Sequence, residues 1–240
     1  MNPYRNKMSP AEIAVRFDRD VEQYSDLESG QPTATDAVFS MELVADSILA
    51  CCPNVNSVLD LGCGAGNYTL KLLSKVSPLS CTLVDLSTGM LKRAEERIRP
   101  LNDGDSQFIQ ADIRTVRLPE GSYDVIMAAA VLHHLRDNNE WERVFAKLYR
   151  LLKPGGSLWI SDFVAQESQA VHRLIFNDRY GSHLVSLKGA AFRDTVFDYI
   201  GKEDSPRSLN YQLKLLERVG FRTIEILHKN LCFAVFGAIK

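Results

Sequence analysis

Residues Asn56 to Leu72 read NSVLDLGCGAGNYTLKL, and the order of residue types in this stretch decides the fold. A short apolar run, Val58 and Leu59, ends in Asp60; glycines follow at 62, 64 and 66; helical spacing then takes over through Tyr68, Leu72 and Leu73. This is the pattern of a strand, a glycine turn and a helix. Glycine is needed where a backbone takes positive φ, or where a ligand approaches closer than a Cβ allows. The helix after the turn starts with unpaired N–H groups and a positive dipole end, both suited to an anionic group. A nucleotide-like ligand is the first expectation.

Spacing then chooses among nucleotides. The dinucleotide fingerprint needs G-x-G-x-x-G; here the third position is Asn67, and the third glycine, Gly66, comes one residue early. The pattern D-x-G-x-G-x-G, from Asp60 to Gly66, instead resembles the first motif of the class I S-adenosylmethionine-dependent methyltransferases.

Outward from this stretch, strand and helix patterns alternate. Strands are predicted at Ser57 to Asp60, Cys81 to Asp85, Gln107 to Ala111, Tyr123 to Ala128 and Ser157 to Phe163, with helices near Asn67 to Ser74, Thr88 to Ile98 and Glu140 to Leu152. Near-continuous apolar strands with short crossovers imply a parallel sheet buried on both faces. Residues 167–202 interrupt the alternation with amphipathic helical sequence, read as an insertion over the ligand edge. Ser208 caps a last helix ending at Gly220. Two closing strands, Arg222 to His228 and Leu231 to Ala238, are separated only by Lys229 and Asn230, a link too short for anything but an antiparallel pair.

This ending resembles the seven-stranded methyltransferase sheet, in which strand seven inserts antiparallel between five and six. The expected fold is α/β: a doubly wound, mostly parallel, Rossmann-like sheet with an antiparallel C-terminal strand. The methyltransferase domain spans 55–240. Residues 1–54 form a helical extension. There Ser9, Pro10 and Glu12 make a helix start with a capping box; Ile13, Phe17, Val21 and Tyr24 share one face; a loop from Ser25 to Thr35 contains Gly30 and Pro32; and a second helix runs from Asp36 to Cys51. Such a segment can close as a lid.

Open α/β sheets bind ligands outside the carboxyl ends of their strands. Asp60, Asp85 and Asp112 follow three consecutive predicted strands. The resemblance implies that Asp60 and the loop residues Gly62, Cys63, Gly64 and Gly66 hold the methionine end of S-adenosylmethionine. It further implies that Asp85 accepts from the ribose hydroxyls, that Asp112 reads the adenine amino group, that Leu86 and Ile113 wall the adenine, and that Ala128 and Ala129 let the backbone approach the sulfonium. Ser87, rather than Asp85, suits the N-cap of the following helix. Tyr24, in F-D-x-x-V-x-x-Y, is similar to a tyrosine near the cofactor, or packs as an amphipathic residue. The product would be S-adenosylhomocysteine.

A sulfonium is already a strong electrophile, so catalysis rests on in-line positioning, desolvation and, in some cases, a general base. His133 and His134, after strand four, and Asp162, at the end of strand five, are the candidates, with structural packing or hydrogen bonding as the alternative for the histidines. The pattern F-D-R-D-V-x-x-Y and the tail FAVFGAIK also look like the subfamily that includes carboxy-S-adenosylmethionine synthase; that reading assigns Arg193 to the extra carboxylate, although the local spacing differs. A cofactor-binding protein without turnover is the third reading.

Composition limits the rest. At 240 residues the chain holds one large domain or one with an extra lobe. A net charge of −2 gives no general attraction for polyanions, so nucleic acid is not indicated. The charged N-terminus lacks a signal-peptide core, and the longest apolar run, Val125 to Leu132, is too short to span a bilayer. A cytoplasmic enzyme with a small-molecule acceptor is expected, with no membrane partner and a homodimer left open. Cys51, Cys52, Cys63, Cys81 and Cys232 form an odd set without C-x-x-C, so neither a disulfide framework nor a metal site is expected, and Cys63 reads as a loop filler.

Overall fold

A computed structural model describes residues 4, 6–28 and 33–240. Gly30 and Pro32 of the expected loop lie outside the described residues. The sheet contains β1 (Ser57–Leu61), β2 (Ser80–Asp85), β3 (Ser106–Gln110), β4 (Tyr123–Ala129), β5 (Leu152–Phe163), β6 (Thr223–Asn230) and β7 (Phe233–Ile239), in the order β3-β2-β1-β4-β5-β7-β6. Neighbours from β3 to β5 pair parallel, while β7 runs antiparallel to both β5 and β6. The order reverses between β1 and β4, which opens a crevice at their carboxyl ends.

Apolar residues on both faces of the strands explain why helices must cover both sides. One face packs against α3 (Ala37–Cys51), α4 (Asn67–Leu73) and α5 (Thr88–Ile98) through Ile48, Leu72, Ala94 and Ile98. The other packs against α6 (Asn138–Leu151) and α10 (Leu209–Val219) through Trp141, Phe145, Leu148 and Leu216. Ser87 and Ser208 cap α5 and α10 as expected, accepting from the amides of Met90 and Tyr211.

Three boundaries differ from the expectation. The N-terminal helix is divided at Asp20 into α1 (Pro10–Arg19), with its capping box in place, and α2 (Val21–Ser25). β5 starts at Leu152, because Leu152 pairs with Tyr123 across a bulge that absorbs the Lys153-to-Gly156 turn sequence. The final hairpin turns at Leu231 and Cys232, since Asn230 pairs with Phe233; Leu231 takes φ +50. This apolar turn survives because the insertion clads it: Cys232 is buried with Phe163, Tyr180, Leu184 and Val196. The insertion consists of α7 (Gln169–His172), a wider π-type stretch (Arg173–Tyr180), α8 (Gly181–Lys188) and α9 (Ala190–Glu203). Among the described residues, no helix is long and apolar enough to cross a membrane.

Candidate active site

The loop after β1 adopts left-handed geometry at Gly62, Gly64 and Gly66, with φ of +71°, +52° and +81°. A Cβ on Gly62 would collide with Val131, whereas Gly64 has open space beside it, so its requirement is conformational. Gly62, Cys63 and Gly64 line a cavity at the carboxyl rim of the sheet, and Gly66 stands behind it against Ala94 and Ile98. Cys63 is buried and its thiol is pushed well up by burial, which leaves it unreactive and consistent with a filler.

All three strand-end acids open on this cavity. Asp60 is buried and accepts from the Thr69 hydroxyl at 2.7 Å. Burial pushes its carboxyl up to about 7, with the Thr69 bond pulling the other way and the Asp85 charge adding to the rise. Asp85 accepts from the amides of Gly64 (2.8 Å) and Ser87 (2.9 Å), so it braces the glycine loop directly. Its carboxyl is also raised by burial, its exposed surface facing the cavity. Asp112 is held bidentately by Arg114, at 2.6 to 3.0 Å. Burial would raise it, but the Arg114 hydrogen bonds prevail and keep it below the ordinary range. An adenine amino group would have to share those oxygens with Arg114.

Leu86, Ile113 and Ala129 line the cavity, while Ala128 is fully buried behind it. Of the residues after β4, Ala129 and Ala130 rather than Ala128 line the cavity. Ala130 has φ +50 and donates its amide to the Ser161 carbonyl at 2.8 Å. A non-glycine residue in that conformation is held there by its surroundings, a form of strain that collects at functional sites.

Beyond this turn lie the acceptor-side candidates. His133 is buried, with Nδ1 bonded to Asp162 Oδ1 and its amide donating to Asp162 Oδ2 at 3.1 Å. Burial pushes the imidazole down, yet Asp162 and Asp204 together raise it to about 9. His134 lies beside it, 3.1 Å by Nδ1 from Asp204 Oδ1. Tyr24 reaches the cavity, packs on Phe17 and accepts from Arg16 Nη1 at 3.4 Å.

Arg193 does not join this group. It sits on α9 outside the cavity lining, partly exposed, and pairs with its neighbour Asp194 at 2.7 Å. The arginines that line the cavity are Arg16, Arg114 and Arg136; Arg16, on α1, donates to Glu203 Oε2 at 2.7 Å and lies 2.5 Å from Oε1 through Nε. Burial alone would lower its pKa, but the Glu203 bond raises it further. Sequence reading missed Arg16, Tyr68, Ala130, Tyr199, Glu203 and Asp204, all of which line the cavity. The spacing of Arg16 next to Phe17 on the inward face of α1 was a usable signal; nothing local marked Glu203 or Asp204.

Two clamps hold the N-terminal segment over this site. Asp18 accepts from the Ser87 hydroxyl at 2.5 Å and the Gly89 amide at 2.8 Å, and Arg136 donates to the Met8 carbonyl at 3.0 Å.

The sheet order, the glycine turn after β1 and the acids at the strand ends define the class I S-adenosylmethionine-dependent methyltransferase fold. Residues 58–156 match the model of the methyltransferase domain family. It is 29% identical over 171 residues to a ubiquinone/menaquinone biosynthesis C-methyltransferase of Marinomonas sp., covering 69% of this chain and 66% of that protein. It is 32% identical over 108 residues to a malonyl-[acyl-carrier protein] O-methyltransferase of Paenibacillus sp., covering 44% of this chain and 38% of that protein. The chain thus spans about two thirds of the first relative and well under half of the second. Among solved structures, the [4+2]-cyclase SpnF shares the fold with a TM-score of 0.65 at 14% identity, covering 98% of this chain and 97% of that one. The phosphoethanolamine N-methyltransferase 2 of Haemonchus contortus, solved with S-adenosyl-L-methionine, does so at 0.63 and 21% identity, over 91% of this chain and 46% of that one.

Proposed function

We propose that this chain transfers a methyl group from S-adenosylmethionine to a small, ring-bearing acceptor enclosed beneath α1 and α9, in the cytoplasm. The observation that carries this reading is the single cavity shared by Asp60, Asp85 and Asp112 on one side and by Phe17, Phe163, Tyr180, Tyr199 and Phe233 on the other. The acids and the glycine loop serve the adenosyl and methionine ends of the cofactor. The aromatic walls favour a flat apolar acceptor, and a roofed pocket favours a small molecule over a polymer.

The chain's own residues supply positioning and exclusion of water. His133, fixed by Asp162, and His134 orient the polar end of the acceptor, and Tyr24 and Phe17 close the site from the lid side. Because the electrophile comes ready-made, these contributions dominate the rate. With Arg193 outside the cavity, the carboxylated-cofactor reading has no arginine where it was expected.

Calorimetry with S-adenosylmethionine, followed by labelled methyl transfer to a panel of small phenols, quinols and enols, tests the proposal. Binding at one site per chain and transfer to at least one acceptor are expected. Asp85→Ala should weaken cofactor binding roughly ten- to a hundredfold, the loss of a charged hydrogen-bond acceptor. No binding by folded protein would overturn the reading, and tight binding without turnover across the panel would favour a silent cofactor-binding protein.

A further inference from the structure

Among the described residues, one group of His, Cys, Asp and Glu side chains has the reach to hold a cation: His133, His134 and Asp204, whose ligand atoms all lie within 4.8 Å of one another. Asp204 Oδ1 is the hub, 3.1 Å from His134 Nδ1 and 3.7 Å from His133 Nε2. Donors arranged tetrahedrally about a zinc-sized ion sit about 3.3 Å apart, which these separations bracket.

Two further observations point to a ligand. Both ring nitrogens of His134, and Asp204 Oδ1, are shielded from solvent; the 3.1 Å pairing of His134 Nδ1 with Asp204 Oδ1 is not aligned as a hydrogen bond, and His134 Nε2 has no partner among the described residues; Asp204 as a residue is only 7% exposed. Burying unpaired polar atoms carries a free-energy penalty unless something satisfies them. In addition, His133 is already oriented from behind. Its Nδ1 is engaged by Asp162, its amide donates to the same carboxylate, and its carbonyl accepts from Ser205 at 2.7 Å, leaving Nε2 aimed at Asp204. A carboxylate on the far nitrogen of a ligating imidazole is the usual way such a ligand is fixed. Glu203, the adjacent carboxylate, is occupied by Arg16 and so is not needed as a ligand.

We propose that His133, His134 and Asp204 form a binding site for a divalent first-row transition cation, with Asp162 as the orienting partner of His133 and the open coordination positions facing the cavity. Two imidazoles with one carboxylate suit zinc, iron(II) or cobalt(II) rather than magnesium or calcium. Binding would release the protons that the ligands carry. The cation's use to an acceptor, coordinating an oxygen and lowering its pKa, rests on the methyl-transfer reading; its binding does not.

The test uses the full chain without cofactor or acceptor. Zinc titrated by calorimetry should bind at one equivalent with micromolar affinity or better, and His134→Ala and Asp204→Asn should each weaken it at least tenfold. Asp162→Asn should weaken it about ten- to a hundredfold while leaving the stoichiometry at one. Cobalt(II) should develop the intense visible absorption of a low-coordinate site. Wild-type protein that binds no zinc, that binds it no better than the folded His134→Ala variant, or that leaves cobalt with the spectrum of its aqua ion would overturn the proposal. The wild-type measurements decide even where a variant fails to fold. S-adenosylmethionine binding measured on the same sample separates this result from the fate of the methyl-transfer reading.

Discussion

Asp60 is a carboxyl group placed where ionisation is opposed. In the unfolded chain it titrates near the ordinary 3.8, and in the folded chain near 7. Between these values the folded state keeps a proton that the unfolded state has lost, so the contribution of Asp60 to stability falls as pH rises, and it levels off above about 7. Urea unfolding of the ligand-free protein should therefore show wild type losing stability relative to Asp60→Asn across about pH 4 to 7. Parallel curves for the two proteins would show that Asp60 ionises freely. At this scale the sequence was most informative where a residue's role follows from its position after a strand: Asp60, Asp85 and Asp112 reach one cavity as their spacing required. It was least informative for Ala130, Glu203 and Asp204. A strained alanine carries no compositional mark, and acids at the end of an amphipathic helix read as solvated until the fold places them next to His133 and Arg16.

The elements that cover the site are joined by charge. Arg16 on α1 and Glu203 on α9 are 187 positions apart and form a largely buried pair, with the guanidinium also stacked over Phe17 at 4.1 Å and Tyr199 at 5.0 Å. Removing one partner strands the other, so Glu203→Gln should cost roughly 3 kcal/mol, seen as a lower urea midpoint at unchanged slope. A loss below about 1 kcal/mol would mean that α1 is not docked on α9. Local sequence revealed the capping box at Ser9 and the caps at Ser87 and Ser208, because caps are decided within one turn of helix. It placed the last turn two residues early. Lys229 and Asn230 look like turn residues, but Asn230 and His228 are used to hold Asp36 at the start of α3, both at 2.8 Å, and the turn falls on apolar residues that only distant helices can cover.

For the whole molecule, the strand order was legible because alternation, crossover length and the short final link leave few topologies. How the 167–202 region folds over the rim was not, since the contacts that seat it on the sheet, such as Tyr180 on Phe233, are non-local. A cavity shared by the rim, the N-terminal helices and α9 means that cofactor binding should stabilise the chain as a unit. With S-adenosylhomocysteine at about a hundred times its Kd, mass action adds about 2.7 kcal/mol, which raises Tm by roughly 5 to 10 °C for a chain of this size. Scanning calorimetry should show this as one displaced transition; a split transition would mean that the roof melts separately from the sheet.

The apolar hairpin tip at Leu231 and Cys232 bears on the order of events during synthesis. The helices that cover it leave the ribosome before β6 and β7 do, so the inner surface of the roof must wait, bare, for strands that have not yet been made. Completion of the cavity is therefore tied to the emergence of β6 and β7, and the interval before they emerge is when the nascent chain is most exposed to misassociation or in need of a chaperone.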